Sequence, residues 1–113
     1  MNILIESPFA LSEKDKETIN TRINYLTKYE SRITQVNVFF KTGDGKNPKA
    51  VTAEIKILVP GNDLFSERSD EDAIKAFSSA YSSIKRQVKQ RRNKLNDHKS
   101  PVKKINEIVN NSV

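Results

Sequence analysis

The amino-acid sequence predicts an α+β fold: a four-stranded mixed sheet with two helices packed on one face, in the order β-α-β-β-β-α. Three observations predict it. Two stretches repeat apolar residues at helical spacing, each behind a Ser-x-x-Asp capping box. Between them lie stretches of β-branched and aromatic residues with the two-residue period of a half-buried strand. Those stretches are separated by short clusters of Gly, Pro, Asn and Asp, the residues that make tight turns. The chain has 113 residues, 35% hydrophobic and 30% charged, which suits one modest core under a charged surface. One domain is expected over residues 1–96, with a flexible tail over 97–113.

Asn2 to Glu6 (NILIE) reads as the first strand, ended by Ser7-Pro8. The first helix opens at Ser12 with Asp15 three residues on, buries Ile19, Ile23 and Leu26, and frays near Tyr29. Ile33 to Phe40 (ITQVNVFF) forms strand two, with Ile33, Gln35, Asn37 and Phe39 on one face. Thr42 to Lys49 (TGDGKNPK) is a mobile hairpin loop. Ala50 to Val59 alternates apolar Val51, Ala53, Ile55, Ile57 and Val59 with Thr52, Glu54 and Lys56, a strand with one buried and one wet face. After the Pro60-Gly61-Asn62-Asp63 turn, Leu64 to Glu67 makes a brief fourth strand at the sheet edge.

Ser69 and Asp72 repeat the capping box and start the second helix, where Asp70, Glu71 and Asp72 complement the positive end of the helix dipole. Ala73, Ile74, Phe77, Ala80, Tyr81, Ile84 and Val88 share an arc of about 100°, the face that packs on the sheet. This helix runs to Leu95 before Pro101 breaks the pattern, and Ile105, Ile108 and Val109 in the tail have the spacing of a small amphipathic turn. The helical crossover makes strands one and two parallel, and the two tight turns make the other pairs antiparallel.

The formal net charge of +6 is unevenly placed. Residues 1–68 carry 10 basic and 9 acidic side chains, while residues 69–113 carry 10 and 5. Between Lys85 and Lys104 nine Lys or Arg accompany one acid, Asp97. At 100° per residue, Lys75, Lys85, Arg86, Lys89 and Arg92 fall in one sector of roughly 120° beside the buried stripe. Arg91 lands on the apolar side, which implies that the last turns pass the sheet edge and expose all their faces, making a basic spike with Lys94. Complementing the helix dipole needs one or two cations in the last turn. This sector reaches back several turns with almost no acid interleaved, so a polyanionic partner bound through counterion release is the better account. Arg22 and Lys28 extend the basic surface onto the first helix. Tyr25 and Tyr29 either stack on bases or pack at the edge of the core.

No chemistry beyond binding is indicated. The chain has no cysteine and one histidine, His98. It has no Gly-rich phosphate loop and no carboxylate pair at a meaningful spacing, so neither an enzyme nor a cofactor nor a metal is expected. No apolar stretch approaches the ~20 residues of a membrane span, and no basic leader precedes the short apolar run at the N-terminus. A cytosolic protein, monomeric when free, is expected, without membrane or small-molecule partners.

Three stretches carry a family resemblance. The first comprises Arg22-Ile23, Leu26 through Tyr29, and Arg32-Ile33. The second is Glu71-Asp72 followed by Ala76-Phe77. The third comprises Ile84, Arg86-Gln87-Val88, Arg92, Lys94-Leu95 and His98. Together they resemble the ribosome hibernation-promoting factor and ribosome-associated inhibitor A family, over roughly residues 1–98. Departures are Ala73-Ile74 where the family has Met-Tyr, and Ser83 and Tyr25 where it has lysines. The resemblance implies binding to rRNA of the small ribosomal subunit in the decoding region, across the mRNA channel and tRNA sites. It also implies inhibition of translation in stationary phase or stress. The length fits the family's short form, without the C-terminal domain that pairs two ribosomes. Candidate rRNA-binding residues are Arg22, Lys28, Lys75, Lys85, Arg86, Lys89, Arg91, Arg92 and Lys94. Two other readings remain open. One is a double-stranded RNA-binding module, although its basic cluster at the start of the second helix is replaced here by Asp70-Glu71-Asp72. The other is a protein–protein adaptor, whose binding would hardly respond to salt.

Overall fold

The structure, a computed structural model, describes residues 1–43 and 45–98, with residues 92–98 as helical backbone only. Strand β1 (Asn2–Glu6) runs parallel to β2 (Gln35–Thr42), which pairs antiparallel with β3 (Val51–Leu58), which pairs antiparallel with β4 (Leu64–Asp70). The sheet order is β1-β2-β3-β4, so β1 and β4 are its edges. Helix α1 (Glu13–Tyr25) forms the crossover between the parallel strands, and α2 (Ala73–His98) follows β4. This is the predicted α+β order.

Register sets the core. Val36 stands opposite Ile57, Val38 opposite Ile55, and Phe40 opposite Ala53, and all six are buried. Ile19, Ile23 and Leu26 from α1 close over this layer, as do Phe77, Ala80, Ile84 and Val88 from α2. The α1 stripe is the predicted one. Ser12 Oγ accepts from the Asp15 N–H at 3.0 Å, the N-cap bond expected of Ser at that position. The helix ends at Tyr25 and tightens into a 3₁₀ turn, Leu26–Lys28, which buries Leu26 completely.

Four details differ from the sequence expectations. Strand β2 starts at Gln35 and continues to Thr42, so Ile33 reaches the core from the segment before the strand. Thr52, expected on the wet face, is buried because its hydroxyl is engaged by the Gly43 carbonyl at 3.1 Å and Ser69 Oγ at 2.7 Å. Strand β4 extends to Asp70, and Ser69, committed to the ladder opposite Thr52, does not cap α2. Asp72 takes that place: its carbonyl accepts from Ala76 N–H at 2.9 Å and its Oδ2 from Lys75 N–H at 3.1 Å. Finally, α2 continues past Leu95 to His98. The tail residues from 99 on, with the Ile105, Ile108 and Val109 face, lie outside the described residues.

Between β3 and β4, Pro60-Gly61 turns the chain with Gly61 at φ +98°, a conformation that strains any residue with a Cβ. With both helices on one side, their outward surfaces and the groove between them face solvent together.

Candidate nucleic-acid interface

The groove between α1 and α2 is built from residues at helical spacing on two facing surfaces. Arg22, Tyr25, Lys28 and Tyr29 come from α1 and its 3₁₀ extension, and Ser78, Tyr81, Lys85 and Lys89 come from α2. At one end Arg22 Nη1 donates to Ser78 Oγ at 2.8 Å, and its guanidinium carbon lies 6.0 Å from the Tyr81 ring centroid. In the middle Lys28 Nζ and Lys85 Nζ sit 4.6 and 5.5 Å from the Tyr25 centroid. Further along, Lys89 Nζ is 5.0 Å from the Tyr29 centroid, and the two tyrosines meet edge to face at 5.8 Å. These are cation–π distances, each contributing about 0.5–1 kcal/mol at an exposed site. The rings hold three ammonium groups and one guanidinium in a row without neutralising them.

The electrostatics of this surface differ from those elsewhere on the molecule. On the sheet, Lys41 is paired with Glu54 and Glu67, and Lys56 with Asp63. At the end of α2 and the start of α1, Arg91 and Arg32 pair with Glu30, and Lys16 with Glu13. Among the described residues, none of Arg22, Lys28, Lys75, Lys85, Arg86 or Lys89 is within 4.0 Å of a carboxylate oxygen. Burial pushes the Tyr81 phenol up from its ordinary value, partly offset by Arg22, so the ring beside Arg22 stays neutral.

The structure thus brings together four of the predicted residues, Arg22, Lys28, Lys85 and Lys89. It leaves Lys75 and Arg86 exposed on the outer side of the same helix. Arg91 is placed elsewhere. Its side chain is 17% exposed, donates from Nε to Glu30 Oε1 at 3.3 Å and from Nη2 to the Pro60 carbonyl at 2.6 Å. The expectation that this turn exposes all its faces is therefore corrected: a carboxylate waits on the apolar side and draws the guanidinium in. The side chains of Arg92 and Lys94 lie outside the described residues.

Three residues shape the site beyond the predicted cations; of these the sequence pointed only to Gln87, through the Arg86-Gln87-Val88 element, and not to Ser78 or Glu30. Ser78 orients Arg22. Gln87 Nε2 donates to the Phe65 carbonyl at 2.8 Å, pinning α2 to the β4 edge, so that the Arg86-Gln87 pair splits between solvent and sheet. Glu30 is 6% exposed and accepts from Arg32 N–H, Nε and Nη2 as well as from Arg91. The Arg32 guanidinium, helped by the Arg32 N–H and by Arg91 and opposed by burial, holds its carboxyl down to about 2. A cation on the apolar face of a helix, such as Arg91, was the available signal for a buried acid.

Sequence and fold comparisons bear on this arrangement. The family model described as sigma 54 modulation protein / S30EA ribosomal protein matches residues 7–96. Among solved structures, the chain is similar to the N-terminal domain of Thermus thermophilus Protein Y, with 22% identity and a TM-score of 0.66, covering 80% of this chain and 98% of that one. It is also similar to a ribosomal subunit interface protein from Coxiella burnetii, with 12% identity and a TM-score of 0.64, covering 86% of this chain and 99% of that one. At these identities the likeness is one of fold. No curated protein matches the sequence.

Proposed function

The chain belongs to the sigma 54 modulation protein / S30EA ribosomal protein family, whose members associate with the ribosome, and on that premise we propose that it is a hibernation factor that binds small-subunit rRNA in the decoding region. Bound there, it keeps mRNA and initiator tRNA from entering while growth is halted. The observation that carries this reading is the row of cations between α1 and α2, none of which has a carboxylate partner among the described residues. Like charges held together without counter-charges repel one another, and a phosphate backbone removes that cost while releasing its condensed counterions.

Roles follow from position. Arg22, Lys28, Lys85 and Lys89 neutralise phosphates along the groove, and Lys75 and Arg86 meet a second strand on the outer face of α2. Arg92 and Lys94 continue the basic run by sequence. Tyr25, 42% exposed, offers a ring to an unpaired base, as in RNA recognition through splayed nucleotides. The double-stranded RNA reading is disfavoured by the acidic approach to α2, where Asp70, Glu71 and Asp72 would face phosphate.

The test is competition on purified small subunits programmed with mRNA and initiator tRNA. Saturating protein should displace both and stop initiation in a reconstituted translation assay. Binding that leaves mRNA and initiator tRNA in place would contradict the decoding-region assignment.

A further inference from the structure

We propose that Glu30 is a positioning residue for the basic groove, a buried acid that a polyanion-binding surface requires in spite of its charge. The inference rests on the RNA-binding reading above and concerns how the groove is held in shape.

One carboxylate joins three parts of the chain. Glu30 accepts from Arg32 N–H at 2.9 Å, from Arg32 Nε and Nη2 at 3.1 Å each, and from Arg91 Nε at 3.3 Å. Arg91 also donates to the Pro60 carbonyl at 2.6 Å. The clamp therefore links the segment leaving the 3₁₀ turn, the late turns of α2 and the β3–β4 turn. Tyr29 immediately precedes Glu30, and Lys89 lies two residues before Arg91 on the helix. Lys89 Nζ stands 5.0 Å from the Tyr29 ring centre. Fixing Glu30 to Arg91 thus fixes the distance between the two walls at this end of the groove, with Tyr25 and Lys85 one turn away.

Cohesion alone does not account for the clamp. Leu26, Ile33 and Val88 already fill the core with exposures of 0%, 5% and 0%. A buried ion pair gains little net stability over apolar side chains of similar size, whereas it does restrict the geometry its partners can adopt. The planar guanidinium of Arg91, reaching a carboxylate and a carbonyl at once, is suited to that role in a way that a lysine is not.

The sign of the effect makes the proposal testable. Glu30→Gln removes a negative charge beside a phosphate-binding surface and frees Arg91. If Arg91 were an rRNA contact merely restrained by Glu30, small-subunit affinity would rise. If Glu30 positions the groove, affinity falls. For a chain that remains folded by circular dichroism, E30Q is expected to weaken small-subunit binding about tenfold at fixed salt. Arg91→Lys, which keeps the charge and loses the two-point reach, is expected to do the same, and the double variant to be no weaker than either single one. Nuclear magnetic resonance of the free protein gives a readout without RNA: the ring-current shift that Tyr29 imposes on the Lys89 ε-methylene should collapse in E30Q and in R91K. Unchanged or tighter binding by E30Q, or an unchanged Lys89 shift in R91K, would overturn the proposal. If the wild-type chain itself did not bind small subunits, the ribosomal reading would fail, and the Lys89 shift would still decide whether Glu30 sets the groove.

Discussion

Glu30 is an acid whose ionised form the folded state strongly prefers. Its carboxyl is lowered from 4.5 to about 2, first by the Arg32 side chain. A depressed value in the native state means that the stabilisation is fully present above the unfolded value and is lost as pH falls toward the native one. Between about pH 5 and pH 2 the wild type should lose on the order of 2–3 kcal/mol relative to E30Q, measurable by urea denaturation at stepped pH. A constant difference across that range would contradict the assigned cause. At the centre of the core, Phe77 is fully buried, and Phe77→Ala should cost about 3–5 kcal/mol by leaving a cavity. Residues of these two kinds were unequally legible in the sequence. Phe77 declared itself by helical spacing. Glu30 did not: besides Arg32 two residues on, its second partner Arg91 lies 61 positions away, and periodicity reports which face a residue occupies but not what charge meets it there.

The elements were legible where alternation is strict and blurred where two signals compete. In β3, Ala53, Ile55 and Ile57 alternate with polar residues and sit on the buried face as expected. At the junction of β4 and α2, Ser69, Asp70 and Asp72 all suit a helix cap, and sequence alone favoured the first because a Ser-x-x-Asp box fits there. Pairing decides the matter: Ser69 stands opposite Thr52 and Asp70 opposite Val51, so the ladder keeps both in the strand and the cap moves to Asp72. Asp72→Ala should therefore destabilise the protein by about 0.5–2 kcal/mol, seen as a lower melting temperature. Ser69→Ala should leave the start of α2 intact, as read by amide exchange of residues 73–76. Exchange that accelerated in the Ser69 variant and not in the Asp72 variant would restore the original cap.

On the scale of the whole molecule, the unpaired cations gather on one side. The outward face of the sheet carries Lys41 and Lys56 with their acids. The helical side carries, besides the Lys16–Glu13 and Glu30–arginine pairs, the groove cations Arg22, Lys28, Lys85 and Lys89, which have no carboxylate partner among the described residues. That asymmetry was partly visible as the contrast between residues 1–68 and 69–113. Arg22 and Lys28 fall in the nearly balanced first stretch, and they join the groove because α1 and the 3₁₀ turn that follows it lie on the same face as α2. The central claim is that this groove binds small-subunit rRNA through its phosphates, and equilibrium binding to purified small subunits across a salt series tests it most directly. If about six phosphates are engaged, affinity should fall roughly 10³-fold between 50 and 200 mM salt. The double variant Lys85→Glu with Lys89→Glu should bind far more weakly with a shallower slope, while keeping wild-type circular dichroism. A flat salt response in the wild type, or a double variant that binds with the wild-type slope, would contradict it.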